Sequence, residues 1–280
     1  MKESIAMASG GRLLELRPAG AGDDEVTLYV KGFLGRGEQP DHFERWLACH
    51  AALEASHGWG AHALGYHWPS GRLLSRPLAA LGVVKGAVDL FRIGRNVRRA
   101  ARLGHWGVMV AEEAALVAAH FVLQYVTASR SARERAHDQA AQLRRLAGQY
   151  RRVRVVAHSL GCRHVIEAVA QLEPELRPHE VHLCAPACRE DDVAAKLAAL
   201  AREQAFLYYT GKDRVLDLAF TPLARGRALG FSGPRRDYDG LTALDVSGHF
   251  DFRVHGEYKN RFAKLVPAPA ERPPGRPTRS

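Results

Sequence analysis

Three short apolar segments in the second half of the chain alternate with stretches of helical periodicity. They lie at 153–157, 181–184 and 205–210, and each carries apolar residues on both of its faces, which is typical of a strand buried on both sides. Such strands separated by helices form a parallel sheet covered by helices on both sides. The 280-residue chain, of which 46% is hydrophobic, is long enough for one large domain of this kind. The sequence therefore predicts an α/β fold.

Further elements extend this pattern in both directions. Strands are predicted at 12–17, 26–30, 61–68 and 243–246, and helices at 41–56, 162–172 and about 257–265. Two more helices are expected between 107 and 150, divided at 127–130, where Ser131 and Glu134 form a capping box that begins the second. We expect one domain over 1–265 with a helical cap insertion at about 71–106. The tail at 266–280 has five Pro in fifteen residues and is predicted to be disordered.

The predicted strand at 153–157 ends in a sharp turn around Ser159. The sequence VRVVAHSLGCRHVIEA changes there from strand to helix, with Ala157 and Gly161 two residues before and after the Ser. A nucleophile elbow requires small residues at these places, because its Ser has a strained backbone. The following helix would point its N-terminus and the amide of Leu160 at an oxyanion. The alternative is an ordinary strand-to-helix cap, since Ser is a favoured N-cap residue.

The order of residues downstream of Ser159 favours catalysis. In hydrolases with such an elbow the triad runs nucleophile, acid, base, with the acid after a late strand and the His after the last one. Asp213 lies three residues beyond the strand at 205–210, and His249 follows the last predicted strand. We therefore predict a catalytic triad of Ser159, Asp213 and His249. Three further residues are fallback candidates: Asp217, Asp245 and His255.

The second oxyanion donor is expected in the glycine-rich loop after the strand at 26–30. The sequence KGFLGRG offers the amides of Phe33 and Leu34 in a turn bracketed by glycines, although a flexible glycine loop is the alternative. We predict Phe33 and Leu160 as the oxyanion hole. Leu34 and His158 are candidates to line the site, with packing as the alternative for His158. The loop lacks the spacing of a phosphate-binding or dinucleotide-binding motif.

These motifs resemble the α/β-hydrolase superfamily and, within it, the poorly characterised family that includes transmembrane and coiled-coil domain-containing protein 4. The matching residues are Gly32, Phe33 and Leu34, then Ser159, Leu160 and Gly161, then Asp245, Val246, Ser247, Gly248 and His249. Ala157 stands where the family usually has Gly, as it does in some bacterial lipases. The resemblance implies an α/β-hydrolase fold, with a mostly parallel central sheet, helices on both faces and a helical cap insertion. It also implies hydrolase chemistry on an unidentified substrate.

The predicted cap insertion is strongly basic. Between residues 71 and 103, seven Arg and one Lys stand against one acidic residue, Asp89, in a chain whose formal net charge is +10. A basic amphipathic helix is typical of a segment that adsorbs to an anionic membrane, where each cation contributes about 1 kcal/mol. A solvated cap helix that covers the sheet is an equal alternative. Few aromatic residues interleave with the Arg run, so no nucleic-acid partner is expected.

Two functions are consistent with the sequence. The favoured one is a serine hydrolase that cleaves carboxylic esters, with lipid-like or long-chain acyl esters as substrates and thioesters or amides left open. The alternative is a non-catalytic hydrolase-fold protein that binds membranes or a partner through the Arg-rich insert. The sequence does not indicate the oligomeric state.

Cysteine usage and hydropathy limit the remaining possibilities. The four cysteines, Cys49, Cys162, Cys184 and Cys188, contain no CxxC pair, so we expect buried thiols in a reducing compartment and predict neither a metal nor another cofactor. The mostly apolar stretch at 114–129 is shorter than the roughly 20 residues that span a bilayer. The N-terminal residues lack the apolar core of a signal peptide. We expect a cytoplasmic protein, with peripheral membrane contact and signal-independent secretion left open.

Overall fold

The computed structural model describes residues 11–20, 22–33, 43–68, 70, 125–251 and 254–268. In this part of the chain seven strands form one sheet in the order β1-β3-β2-β4-β5-β6-β7. The strands are β1 (Arg12–Arg17), β2 (Glu25–Val30), β3 (Ala63–His67), β4 (Arg152–His158), β5 (Glu180–Cys184), β6 (Gln204–Tyr209) and β7 (Leu241–Asp245). Only the edge strand β1 is antiparallel to its neighbour in this sheet. The predicted mostly parallel sheet is confirmed.

Helices cover the sheet and connect its strands. They are α1 (Glu44–His57), α2 (described over 125–134), α3 (Ala136–Gln149), α4 (Leu160–Val169), α5 (Glu190–Leu197) and α6 (Val254–Leu265). Shorter helical turns lie at Pro174–Leu176, Leu216–Phe220, Thr221–Ala224, Leu229–Ser232 and Ser247–His249. Helix α1 packs against α6, and α3 packs against α4. Consecutive residues of β2, β4 and β5 are buried, so both faces of the central strands are covered.

The predicted helix boundary at 127–130 is wrong. Residues 125–134 are helical throughout, and the interruption falls at Arg135. Ser131 lies inside α2, and its buried hydroxyl has no hydrogen-bond partner in the described part of the chain, so it does not form the predicted capping box. The reason lies in packing: small residues recur every fourth position and form a buried stripe that holds the helix together. The stripe consists of Ala128, Ala132, Ala136 and Ala140.

Several predictions concern residues outside the described ones. The cap insertion at 71–106, Leu34 and the tail beyond residue 268 all fall there. Among the residues that the structure describes, no helix is both long enough and apolar enough to cross a membrane.

The two ends of the parallel strands differ in character. At the N-terminal end, Arg152 lies 2.6 Å from Glu180, and Arg154 lies 2.6 Å from Glu25 and 3.4 Å from Glu180. Glu180 and Arg154 are almost completely buried, so this is an internal ion cluster. The carboxyl ends of β2, β4 and β6 meet at the opposite edge of the sheet. That edge is where ligands bind in open α/β sheets, and it carries the residues described next.

Candidate active site

Ser159 occupies a strained turn between β4 and α4. Its backbone has φ 56° and ψ −126°, which a residue with a side chain rarely adopts. Hydrogen bonds hold this conformation in place: the Ser159 N–H donates to the Cys184 carbonyl at 2.9 Å, and the Ser159 carbonyl accepts from the Ala187 N–H at 3.1 Å. The local geometry is that of a nucleophile elbow, in which the Ser side chain stands at the top of the sheet.

Two glycines allow the loop after β2 to pass directly against this elbow. A Cβ atom at Gly32 would lie 2.9 Å from the Ser159 Cβ, and one at Gly161 would lie 2.4 Å from the Lys31 carbonyl oxygen. Neither contact is sterically possible for another residue without movement of the backbone or the nucleophile. The close approach brings Phe33, the residue after Gly32, to the neighbourhood of Ser159 and Leu160.

Asp213 is completely buried in the turn that follows β6. The turn is closed by a hydrogen bond from the Asp213 N–H to the Thr210 carbonyl at 3.2 Å. One side-chain oxygen, Oδ1, accepts from the N–H groups of Val215 and Leu216, both at 3.1 Å. These two bonds fix the orientation of the carboxylate and leave Oδ2 directed at a third partner.

That partner is His255, the second residue of α6. Its Nδ1 lies 2.7 Å from Oδ2 of Asp213, and its Nε2 lies 3.0 Å from Oγ of Ser159. Because an ionised carboxylate only accepts hydrogen bonds, Nδ1 carries the proton and Nε2 of the neutral ring accepts from the Ser159 hydroxyl. Ser159, His255 and Asp213 thus form one continuous hydrogen-bonded chain, in which Ser159 can lose its proton to the imidazole.

The structure does not bring His249 to Ser159, and the predicted triad is corrected at this position. His249 is exposed in the turn Ser247–His249, and its carbonyl accepts a hydrogen bond from Arg261. The turn is closed locally, since the Ser247 N–H donates to Asp245 and its hydroxyl lies 2.8 Å from Thr210 Oγ1. The chain then needs six more residues to reach the site, and the fallback candidate His255 occupies the place predicted for His249.

The other two fallback candidates have local partners. Asp217 lies 4.0 Å from Arg214 in the turn after Asp213, and Asp245 caps the Ser247 turn. Asp213 is therefore the carboxylate that the structure brings together with Ser159.

His158 is buried against His255. Its Nε2 lies 2.7 Å from the backbone carbonyl of His255, and the two rings are 4.8 Å apart between centroids. Burial, reinforced by His255 and Lys259 nearby, holds the pKa of His158 well below its ordinary value, so the ring is neutral at pH 7. His158 therefore packs against His255, and packing was the alternative to lining the site.

Aromatic side chains from three separate segments meet beside the elbow. The ring of Tyr125 is 5.7 Å from that of Phe33 and 5.8 Å from that of Phe220, both in edge-to-face contact. The Tyr125 hydroxyl donates to the carbonyl of Ala187 at 3.4 Å, and Ala187 is bonded to the Ser159 backbone. The loop after β2, Tyr125 of α2 and the turn after Asp213 thus supply a cluster of aromatic side chains close to the Ser159 elbow.

The described residues contain no group of three or more His, Cys, Asp or Glu that could hold a metal ion. All four cysteines are free and buried, which confirms the prediction of buried thiols. Burial raises the pKa of Cys188 to about 12 and that of Cys162 and Cys184 well above the ordinary value. The thiols of Cys162, Cys184 and Cys188 are therefore protonated at neutral pH.

Comparison with protein families identifies the family of this chain. The family described as "Alpha/beta hydrolase of unknown function (DUF900)" matches residues 19–230, which is most of the chain. The chain belongs to this α/β-hydrolase family. The matched region of the DUF900 protein includes Ser159 and Asp213 and ends before α6. No curated protein is detectably similar to it.

Three solved structures are similar to this DUF900 protein. An uncharacterised protein from Capnocytophaga ochracea DSM 7271 matches with a TM-score of 0.43 and 10% identity, over 91% of this chain and 59% of that one. Esterase 2 of Thermogutta terrifontis matches with a TM-score of 0.38 and 11% identity, over 91% and 87%. The type II thioesterase YbtT of the yersiniabactin pathway matches with a TM-score of 0.35 and 12% identity, over 91% and 96%.

Proposed function

We propose that this protein is a serine hydrolase that cleaves carboxylic esters through an acyl-enzyme intermediate. The observation that carries the proposal is the hydrogen-bonded chain from Ser159 Oγ through His255 to Asp213, with distances of 3.0 and 2.7 Å. Nucleophile, base and orienting acid are within direct hydrogen-bond reach of one another, which is the geometry that activates a hydroxyl.

The reaction would proceed in two halves. Ser159 Oγ attacks the ester carbonyl carbon while its proton passes to Nε2 of His255, and the carbonyl oxygen becomes an oxyanion. The oxyanion collapses, the bond to the alcohol breaks, and His255 returns the proton to the leaving alkoxide. A water molecule then attacks the acyl group with the same histidine as base, which releases the acid and restores Ser159. Asp213 stabilises the imidazolium in both halves.

The oxyanion hole is proposed to consist of the Phe33 and Leu160 amides. Leu160 is the first residue of α4, and the first N–H groups of a helix have no partner within the helix. The absence of a side chain at Gly32 brings the Phe33 segment against the Ser159 side chain. Two backbone N–H groups directed at the same oxygen would stabilise the tetrahedral oxyanion.

The proposed substrates are lipid-like or long-chain acyl esters. The aromatic cluster of Phe33, Tyr125 and Phe220 supports this proposal because it provides an apolar environment close to the nucleophile. Peripheral contact of the basic segment 71–103 with anionic membranes would suit such substrates, and it stays a prediction. The resemblance to the family of transmembrane and coiled-coil domain-containing protein 4 is likewise a prediction.

A fluorophosphonate probe tests the mechanism without knowledge of the substrate. The parent protein, Ser159→Ala, His255→Ala and His249→Ala are each incubated with the probe, with and without liposomes. We expect labelling of the parent and of His249→Ala and none of the other two variants. A folded parent that stays unlabelled under both conditions would overturn the proposal and favour the non-catalytic alternative. Loss of labelling in His249→Ala but not in His255→Ala would restore the sequence-based choice of base.

The acyl-chain preference is tested separately with p-nitrophenyl esters from acetate to palmitate. The proposed substrate class predicts that kcat/KM rises with chain length. A maximum at acetate would contradict the long-chain assignment and leave the serine mechanism intact.

A further inference from the structure

We propose that His158 is a positioning residue that holds the proposed base, His255, at the correct distance from the nucleophile, Ser159. The proposal rests on the proposed function and adds a residue to its machinery. His158 immediately precedes Ser159 in the chain, and its side chain binds the backbone of the residue that would deprotonate Ser159. Two adjacent residues thus have related roles: Ser159 is the proposed nucleophile, and His158 holds the proposed base, His255, in place.

The direction of the hydrogen bond follows from its acceptor. A backbone carbonyl only accepts, so Nε2 of His158 carries the hydrogen and donates to the His255 oxygen at 2.7 Å. Both donor and acceptor lie on otherwise separate elements, the end of β4 and the first turn of α6, which are 97 residues apart in sequence. The bond ties the beginning of α6 directly to the central sheet.

The ring of His158 is held on several sides. Its side chain is buried, and its ring centroid lies 6.4 Å from that of Trp46 and 6.2 Å from that of Tyr258, both buried. A Cβ atom at Gly32 would lie 3.2 Å from its Nδ1, so the glycine leaves just enough room for the ring. A ring packed in this way cannot move without displacing its neighbours, so it keeps His255 at a fixed position relative to β4.

The expected consequence is catalytic more than structural. Displacement of a catalytic group by about 1 Å can cost about a hundredfold in rate. Without the His158 bond, the first turn of α6 would keep its contact with Asp213 but lose its fixed distance from Ser159. The rate of the chemical step should therefore fall, while binding of a small substrate or probe should change little.

The test compares variants that differ in the N–H donor. His158→Phe keeps an aromatic ring between Trp46 and Tyr258 but has no N–H, and His158→Gln keeps an N–H near the place of Nε2. The matched control is His164→Leu, because His164 is also buried and binds a carbonyl, that of Ala132, at 2.8 Å. For each protein we would measure the thermal midpoint, kinact and KI for the fluorophosphonate, and kcat and KM for p-nitrophenyl butyrate.

The proposal predicts that His158→Phe lowers kinact and kcat by about tenfold to a hundredfold with KI and KM nearly unchanged. His158→Gln should recover most of the loss, and His164→Leu should lower the thermal midpoint without changing kinact. Parental kinact in His158→Phe would overturn the inference, as would a loss that the Gln variant does not repair. If the Phe variant does not fold, His158→Leu replaces it. If neither folds, a His158→Gln protein that is stable but slow contradicts the inference, and one with parental kinact supports it.

Failure of the inference is distinguishable from failure of the proposed function. A parent protein that does not react with the probe refutes the serine hydrolase itself. A reactive parent with an equally reactive His158→Phe variant refutes only the role of His158.

Discussion

Oδ2 of Asp213 lies 2.7 Å from Nδ1 of His255, while Oδ1 of the same carboxylate accepts the N–H groups of Val215 and Leu216. Because the two oxygens have different partners, the effect of Asp213→Asn can be predicted. The amide oxygen would keep the two backbone donors, so the NH2 group would face Nδ1 and force the proton onto Nε2. His255 could then no longer accept from Ser159, and we expect kcat to fall by about 10⁴.

The kinetics of Asp213→Asn with p-nitrophenyl butyrate check this expectation. The thermal midpoint serves as the control, because the substitution leaves the Val215 and Leu216 bonds in place. Activity within about tenfold of the parent would show that Asp213 does not set the tautomer of His255.

Lys212, the residue before Asp213, connects the acid to the segment that leads to the base. Its Nζ donates to the carbonyls of Ser247 and Phe250, both at 2.9 Å. We expect Lys212→Met to free this segment and lower kcat by about tenfold, because the first turn of α6 loses an anchor. The measurement is kcat and KM with p-nitrophenyl butyrate.

Arg214→Met is the matched control for Lys212. Arg214 also adjoins Asp213 and carries the same charge, but its side chain is 73% exposed and its only ion pair within the described residues is the 4.0 Å contact with Asp217. Its loss should leave kcat unchanged. Equal effects of the two substitutions on kcat would mean that kcat depends on the positive charge beside Asp213 and not on the anchoring of the segment.

Gly161 is predicted to tolerate no side chain. An added Cβ would lie 2.4 Å from the Lys31 carbonyl oxygen, and overpacking of this kind typically costs about 1–3 kcal/mol. Gly161→Ala should lower the free energy of unfolding by this amount, as measured by urea denaturation, and also reduce probe labelling, because the loop that carries Phe33 must move.

Gly148→Ala provides the comparison for Gly161→Ala. Gly148 lies exposed in α3 with nothing within 4 Å of an added Cβ, and Ala in a helix is more stable than Gly by about 0.5–1 kcal/mol. The two Gly-to-Ala substitutions should therefore change stability in opposite directions. An unchanged or increased stability of Gly161→Ala would contradict the close packing of the loop on the elbow.

The buried ion cluster at the N-terminal edge of the sheet predicts that the stability of the protein depends on pH. Burial alone would raise the pKa of Glu180, but hydrogen bonds and charges from His182, Arg154 and Arg152 outweigh it and hold the pKa well below the ordinary 4.5. Because the pKa is lower in the folded state, ionised Glu180 stabilises the protein above pH 4.5. That contribution declines as the pH falls below this value and the unfolded chain takes up the proton.

Glu180→Gln should therefore cost up to about 3 kcal/mol at pH 7, the lower end of the range for a broken buried pair, because Arg154 keeps Glu25 and Arg152 keeps Glu203. The difference in unfolding free energy between parent and variant should narrow between pH 5 and pH 3, as measured by urea denaturation at each pH. Glu203→Gln is the control. Glu203 also pairs with Arg152, but its side chain is 43% exposed, and its loss should cost less than about 1 kcal/mol. A difference that does not change with pH would contradict the lowered pKa of Glu180.

The sequence by itself was sufficient for the sheet and for the position of the elbow. Mostly apolar runs identify the central strands, because a parallel strand covered on both faces buries side chains on both of its sides. Small residues around Ser159 identify the elbow, because its strained turn excludes larger ones. Both signals depend on neighbours in the chain, and both elements stand where the sequence predicted them.

The choice of His255 over His249 was decided by tertiary structure. Both histidines follow the last strand, and the spacing to Ser159 does not distinguish them. Ser247 closes its turn on Asp245 and Thr210, which leaves His249 exposed, and α6 then begins at Val254 and carries His255 to Ser159. The uninterrupted helix through 127–130 likewise depends on burial of an alanine stripe against the core, which outweighed a local capping motif. Such outcomes depend on contacts between residues far apart in the chain, and local patterns do not contain them.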